Sequence, residues 1–197
     1  MKLLMLDVDG VLVNGRPQDG KHLFTDLERD LGLSRSLLQA AFFDVYWQEI
    51  VVGRDALLSR LRSVRGKIAP KLEAQQLIDY WFENDSRIDA DVLRAVDELR
   101  LRGTKVFLAT NQEHLRARYL MEAMQLGAHV DGIIYSAALG HRKPAPEFYR
   151  LANERVGVAA GDISFVDDVA ANVEAARIAG WNGALWTGEH GLLSLVK

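Results

Sequence analysis

The sequence of 197 residues contains no cysteine, which excludes disulfide bonds, thiolate metal ligands and cysteine nucleophiles. No apolar run approaches the roughly 20 residues that a membrane-spanning helix needs. Only four apolar residues stand between Lys2 and Asp7, too few for the core of a signal peptide. A strong charge of one sign is also lacking, since 24 basic and 27 acidic residues give a net charge of −3. These absences predict a cytoplasmic protein that binds neither membranes nor nucleic acids.

Short, unbroken apolar runs recur along the chain and predict strands that are covered on both faces. The first lies at residues 3–6; the later ones lie at 105–109, 132–135 and 163–166, with a weaker one at 183–186. Amphipathic helical patterns separate the late runs, beginning near Asp89, Leu115, Pro146 and Val169. Strands that alternate with helices of this length predict right-handed crossovers and therefore a parallel, doubly wound α/β sheet.

Residues 15–87 interrupt this alternation, because they show helical periodicity without a convincing strand. The apolar positions fall into four groups: Leu23, Leu27 and Leu31; Leu38, Phe42 and Val45; Leu57, Leu61 and Val64; Ala74, Leu77, Ile78 and Trp81. Each group forms a single apolar stripe, which predicts that four helices pack on one another as a small bundle. The sequence therefore predicts a core of residues 1–14 and 88–197 with a helical domain inserted at 15–87.

Polar side chains follow four of the predicted strands at their carboxyl ends, where an open parallel sheet binds its ligands. They are Asp7 and Asp9 after the first strand, Thr110 and Asn111 after the second, Ser136 and then Lys143 after the third, and Asp167 and Asp168 after the fourth. Carboxylates, a hydroxyl group and a lysine are therefore expected to meet at one edge of the sheet.

This set of groups suits the transfer of a phosphoryl group. Crowded carboxylates raise one another's pKa values, and Mg²⁺ relieves the repulsion because it prefers oxygen ligands. A carboxylate beside a lysine is a usable nucleophile toward an electrophile that carries its own negative charge. Thr110 and Asn111, at the start of a helix, could bind the phosphoryl oxygens with a hydroxyl and backbone N–H groups. Asp9 could protonate the leaving oxygen and later activate water.

At this point the residues resemble the four motifs of the haloacid dehalogenase (HAD) superfamily in its phosphatase form. Residues 7–13 (DVDGVLV) are similar to the first motif, and residues 108–111 (LATN) to the second. Lys143-Pro144, with Ser136 and Gly140 upstream, is similar to the third motif, and residues 165–168 (FVDD), with Asn172, to the fourth. The resemblance covers the whole chain. It implies a Rossmann-like core of strand order 3-2-1-4-5 whose inserted helices, residues 15–87, form a cap over the site.

The resemblance also implies roles for individual residues. Asp7 would be the nucleophile that forms an aspartyl-phosphate, and Asp9 would be the general acid and base. Thr110, Asn111 and Lys143 would bind the transferred phosphoryl group, with Lys143 also steadying Asp7.

Mg²⁺ is the cofactor that the resemblance implies. Asp7, the backbone carbonyl of Asp9 and Asp168 would be its ligands. Asp167 and Asn172 would support these ligands from behind. Because Asp167 and Asp168 are adjacent, the sequence leaves open which of the two faces the metal.

The predicted function is Mg²⁺-dependent hydrolysis of a small phosphate monoester, with sugar phosphates among the candidates. Carbon–halogen and phosphonate hydrolases of the superfamily lack an aspartate at the position of Asp9, which disfavours both. A sugar phosphomutase shares Asp7 and Asp9 and stays open. A receiver domain of a response regulator also combines acidic residues, a threonine and a lysine, but its paired acids follow its first strand and it has no cap.

A small phosphorylated metabolite is the expected partner, because a closing cap excludes macromolecules. Asn14, Arg16 and residues 47–55 are the candidate specificity residues, since they follow the first motif or interrupt a cap helix. The oligomeric state is left open by the sequence.

Overall fold

The computed structural model describes residues 2–196 and contains one sheet of five parallel strands. In chain order these are β1 (Leu3–Leu6), β2 (Lys105–Thr110), β3 (Gly132–Tyr135), β4 (Ile163–Asp167) and β5 (Asn182–Leu185). Their order across the sheet is β3-β2-β1-β4-β5, so that β1 pairs with both β2 and β4. The predicted parallel, doubly wound sheet and its strand order are confirmed.

Four helical stretches lie in residues 15–87. They are α1 (Leu27–Leu31), α2 (Arg35–Leu38) continuing through a π-helical turn (Gln39–Phe43) into α3 (Asp44–Ile50), α4 (Leu57–Ile68) and α5 (Ala74–Asn84). Ser34 caps α2, because its side chain accepts a hydrogen bond from the Leu37 N–H. The buried apolar residues of these helices form a hydrophobic cluster of their own. We call residues 15–87 the cap, and their division from the core as a separate domain at 14/15 and 87/88 stays a prediction.

The π-helical turn changes one predicted face of the cap. In this turn the N–H of Asp44 donates to the carbonyl of Gln39, five residues back. The wider turn rotates the residues that follow relative to those before it. Leu38 and Phe42 are buried as predicted, but Val45 is 57% exposed and Ile50 is buried further along. The predicted stripe of Leu38, Phe42 and Val45 is therefore wrong at its last position.

Helices cover both faces of the sheet. They are α6 (Ala90–Leu101), α7 (His114–Met121), α8 (Ser136–Leu139), α9 (Pro146–Val156), α10 (Ala170–Ile178) and α11 (Leu192–Leu195). Side chains of β1 alternate between the faces, so that Leu4 and Leu6 pack with α6 while Leu3 and Met5 pack with α9. Within residues 2–196, no helix is both long and apolar enough to span a bilayer.

The chain enters and leaves the cap through two segments that pair with each other. The Asn14 N–H donates to the Arg87 carbonyl at 2.9 Å, and the Arg87 N–H donates to the Gly15 carbonyl at 3.2 Å. From the core side, Leu115 and Tyr119 of α7 pack against the hydrophobic cluster of the cap. The cap therefore rests on α7 as well as on its two connecting segments.

Candidate active site

Asp7 follows the central strand and lies between the ends of β2 and β4. Its backbone N–H donates to the Val166 carbonyl at 2.9 Å, which continues the pairing of β1 with β4. The side chain is buried, and its Oδ1 accepts hydrogen bonds from the Val8 N–H at 2.8 Å and from Lys143 Nζ at 2.9 Å. Burial raises the pKa of Asp7 to about 7, because desolvation and the negative charge of Asp167 outweigh the Lys143 ammonium.

The ammonium group of Lys143 is the centre of the site. The side chain is only 2% exposed, and its Nζ donates to Asp7 Oδ1, to Asp167 Oδ2 at 2.6 Å and to the Ala109 carbonyl at 2.7 Å. An ammonium has three N–H donors, so these acceptors use all of them. Burial alone would lower the pKa of Lys143, but the two carboxylates outweigh it and raise the value. A fixed positive charge therefore lies in direct contact with Asp7.

Asn111 holds the backbone of Lys143. Its Nδ2 donates to the Lys143 carbonyl at 3.0 Å, and its Oδ1 accepts from the Lys143 N–H at 2.8 Å. The side-chain amide of Asn111 is thus engaged with the lysine loop, which leaves the backbone N–H as the group that would meet a phosphoryl oxygen. Thr110, the last residue of β2, is buried at the same edge of the sheet.

The two adjacent aspartates after β4 have different environments. Asp167 is fully buried and accepts from Lys143, from Asn172 Nδ2 at 3.0 and 3.1 Å, and from the Val169 N–H at 2.8 Å. Asp168 is exposed, and among residues 2–196 no other side chain donates a hydrogen bond to its carboxylate. Gly10 makes room for it: a Cβ on Gly10 would collide with Asp168 Oδ2, and the positive φ of 81° also favours glycine there.

The carboxylates fit a hard divalent cation. Asp7, Asp167 and Asp168 each offer an oxygen within 4.8 Å of the other two. Neighbouring protein removes part of the hydration of the Asp168 carboxylate and, together with the negative charge of Asp167, raises its pKa. A bound dication would therefore stabilise ionised carboxylates that otherwise repel one another. Because Asp167 already accepts from Lys143 and Asn172, Asp168 is the residue of the adjacent pair that is better placed to bind a metal.

Asp9 is exposed at the mouth of the site. Its Oδ2 accepts a hydrogen bond from Nε2 of the buried Gln112 at 2.5 Å. Protein surrounding the cleft removes part of the hydration of the Asp9 carboxylate and raises its pKa to about 6, and the negative charge of Asp85 adds to the rise. Gln112 was not among the sequence candidates, although it directly follows Thr110 and Asn111 at the same strand end.

Of the expected specificity residues, Arg16 is not free to bind a substrate. Its guanidinium is buried and forms ion pairs with Asp19 and, at 2.5 Å, with Asp26. Both partners belong to the first segment of the cap. Arg16 therefore stabilises the entry of the chain into the cap, and the expectation that it determines specificity is corrected. Asn14, the other expected residue beside the first motif, donates its side-chain amide to the Val11 carbonyl at 3.3 Å.

Residues 47–55 contain the loop through which the cap contacts the core. Ser136 Oγ donates to the Val51 carbonyl at 2.5 Å and also lies 3.1 Å from the Gln112 carbonyl. Gly53 has a φ of 75°, and a Cβ there would collide with the Ala137 carbonyl oxygen. The loop is therefore seated closely on the start of α8, directly beside the site.

The fold is a Rossmann-like α/β sheet, and its site joins the buried Asp7 carboxylate to the buried Lys143 ammonium with two further carboxylates nearby, an arrangement typical of phosphoryl-transfer enzymes. The chain belongs to the haloacid dehalogenase-like hydrolases, because the model of that family matches residues 1–180. The resemblance of the four sequence motifs to the HAD superfamily is thus confirmed.

Two curated relatives are phosphatases by name. Phosphatase MT3486 of Mycobacterium tuberculosis is 38% identical over 96 residues, which cover 48% of this chain and 44% of that protein. Sesquiterpene phosphatase astK of Aspergillus oryzae is 35% identical over 97 residues, which cover 49% of this chain and 50% of that protein. The matches span about half the length of these curated relatives.

Among solved structures, the fold is similar to that of a HAD family enzyme of Bacteroides thetaiotaomicron. One structure of that enzyme has a TM-score of 0.82 at 16% identity and covers 99% of this chain and 98% of its own. Another, a complex of the same enzyme with magnesium and inorganic phosphate, has a TM-score of 0.81 at 17% identity and covers both chains completely. These similarities establish the fold.

Proposed function

We propose that the protein is a Mg²⁺-dependent phosphatase that hydrolyses small phosphate monoesters through an aspartyl-phosphate on Asp7. The observation that carries this proposal is the Lys143 ammonium, which contacts both Asp7 and Asp167 at the carboxyl ends of the strands. The names of the two curated relatives support the reaction class. The magnesium and phosphate bound to the structural neighbour support the choice of metal and reacting group.

In the first step Asp7 attacks phosphorus. Its Oδ1 is held by Val8 and Lys143, so Oδ2 is the oxygen that forms the new bond. The ester P–O bond breaks as the new bond forms, and protonated Asp9 gives its proton to the leaving oxygen. The raised pKa of Asp9, about 6, increases the fraction that carries this proton near neutral pH.

In the second step a water molecule attacks the phosphorus of the aspartyl-phosphate. Asp9, now ionised, takes a proton from this water, and the bond between phosphorus and Asp7 breaks. Inorganic phosphate leaves and Asp7 is regenerated. The charge of Lys143, the Thr110 hydroxyl and the backbone of Asn111 would stabilise the phosphoryl oxygens throughout.

Asp7, Asp168 and the backbone carbonyl of Asp9 would hold the Mg²⁺, with Asp167 and Asn172 supporting Asp168 and the loop around it. Bound Mg²⁺ would neutralise charge on the phosphoryl oxygens. The cap would restrict the site to small esters, because its loop at residues 51–53 lies against the core beside the site.

A panel of phosphorylated metabolites, assayed with and without Mg²⁺, tests the proposal. We expect release of phosphate from at least one small ester, loss of that activity in EDTA and its return with added Mg²⁺. The exposed Asp91 provides a control, since Asp91→Asn should leave the turnover unchanged. Full activity in chelator would contradict the proposed metal dependence.

A further inference from the structure

Gln112 is a buried polar residue to which the mechanism above gives no part. We propose that Gln112 is a positioning residue that holds the Asp9 carboxyl group in the orientation needed for proton transfer. This inference rests on the proposed function. Its basis is the 2.5 Å hydrogen bond from Gln112 Nε2 to Asp9 Oδ2.

The backbone of Gln112 is fixed on both sides. Its carbonyl accepts from the Ala137 N–H at 3.2 Å and lies 3.1 Å from Ser136 Oγ. The next residue, Glu113, caps helix α7 by accepting from the Leu115 N–H at 2.9 Å and from the Arg116 N–H. The buried side chain of Gln112 therefore projects from a rigid junction between β2 and α7.

The side chain of Asp9, by contrast, depends on its hydrogen bond with Gln112. It is exposed in the turn after β1. Within residues 2–196, the amide of Gln112 is the only group that forms a hydrogen bond or ion pair with its carboxylate. An exposed carboxyl group without a partner rotates among several orientations, and only a fraction of them can reach the leaving oxygen.

The amide contact also distinguishes the two carboxyl oxygens. Gln112 occupies Oδ2, so Oδ1 is the oxygen that remains for the leaving group and for the attacking water. A primary amide donates a hydrogen bond without taking part in proton transfer at neutral pH. Gln112 can therefore hold Asp9 in one orientation through both steps.

The same region joins this contact to the cap. Ser136 Oγ lies within hydrogen-bond distance of both the Val51 carbonyl in the cap loop and the Gln112 carbonyl. Ser136 therefore links the backbone of Gln112 to the cap loop while that loop contacts the core.

The test replaces Gln112 with methionine, which has similar length but no donor. A matched control exists on the outer face of the cap, where Gln75 Nε2 donates to Asp79 Oδ1 at 2.8 Å in the same kind of amide–carboxylate contact. Gln112→Met and Gln75→Met are compared with the unchanged protein on an aryl phosphate and on an alkyl phosphate. Rapid acid quench followed by mass analysis measures the phosphoryl group on the peptide that contains Asp7.

For Gln112→Met we expect kcat on the alkyl phosphate to fall roughly 10- to 100-fold, part of the usual contribution of acid–base catalysis. Formation of aspartyl-phosphate from the aryl phosphate should change little, because that leaving group needs little protonation. The labelled Asp7 peptide should then accumulate, since hydrolysis still requires Asp9 as a base. KM for the alkyl phosphate and the Mg²⁺ requirement should stay constant, and Gln75→Met should match the unchanged protein.

Equal losses on both substrates without accumulation of label would overturn the positioning role, and so would an unchanged alkyl phosphatase rate. If Gln112→Met does not fold, Gln112→Asn replaces it, because its shorter amide cannot span the contact and should give the same pattern. Absence of Mg²⁺-dependent turnover in the unchanged protein would instead refute the proposed function, whatever the Gln112 variants do.

Discussion

The core and the cap bury different kinds of side chain. Among residues 2–196, every buried polar or charged side chain except Arg16 lies in the core. In the core, the Lys143 ammonium forms ion pairs with both Asp7 and Asp167 at the sheet edge. The interior of the cap is aliphatic and aromatic, with Trp81 packed edge-on or tilted against its neighbouring rings.

Because of this difference, we expect the core to determine the reactivity of the site and the cap to determine which substrates fit it. A change in the polar cluster of the core alters charge and reactivity, because each group there is the partner of another. A change in the cap alters packing or the position of the loop on the core, and so it should act on substrate binding. Variants of the two regions should therefore have different kinetic signatures.

The largest expected effect comes from the core. Asp7→Asn removes the attacking oxygen, and we expect turnover to fall by at least about 10⁴-fold, as losses of a nucleophile do. The fold should persist, because an amide can still accept from Val8 and Lys143 at Oδ1. Phosphate release and the circular dichroism melting curve check both statements. Appreciable turnover by this variant would rule out Asp7 as the nucleophile.

Next in size is the contrast between the adjacent aspartates. Asp168→Asn should weaken Mg²⁺ binding about 100-fold or more with little change in stability, because the side chain is exposed. Asp167→Asn should instead lower the free energy of unfolding by about 3 kcal/mol, since it takes a charged partner from the buried Lys143. Magnesium titration and urea denaturation separate the two effects. The opposite ranking in Mg²⁺ affinity would assign the metal to Asp167.

Binding of Mg²⁺ should depend on pH. The pKa of Asp7 is raised to about 7 and that of Asp168 is raised as well, whereas a metal binds the ionised carboxylates. As the pH falls through 7, protons compete with Mg²⁺, and the apparent Kd should rise by up to about tenfold per pH unit for each proton displaced. Calorimetric titration in buffers of different ionisation enthalpy measures the released protons. A constant Kd from about pH 5.5 to pH 8 would contradict the expectation.

The sheet could be predicted from sequence because its signals are local. The residues of β1 are all apolar and all buried. The prediction for β2 agrees with the structure except that the strand extends one residue further, to Thr110. The π-helical turn could not be predicted, because Gln39–Phe43 has an ordinary helical composition. Because that turn contains one additional residue, Val45 lies at the surface.

The candidate site was only partly predictable, for a physical reason. The carboxyl ends of neighbouring parallel strands must lie at one edge of the sheet, which brings the backbones of Asp7 and Asp167 together regardless of their side-chain conformations. The direction of each side chain is not determined by its place in the sequence. Gln112 was therefore missed, and Arg16 was expected beside the substrate although it pairs with Asp26 inside the cap.

The smallest predicted effect lies in the cap and compares two of its glycines. Gly53 and Gly32 both have positive φ, 75° and 67°, so at either position the left-handed backbone alone should cost alanine about 1 to 2 kcal/mol of stability. Only at Gly53 would the added Cβ collide with the core, at the Ala137 carbonyl oxygen, while the space around Gly32 is open. Gly53→Ala should therefore displace the loop and raise KM about 3- to 10-fold with kcat nearly constant. Gly32→Ala should leave both constants unchanged. Equal KM values for the two variants in steady-state assays would show that the seating of this loop on the core does not govern substrate binding.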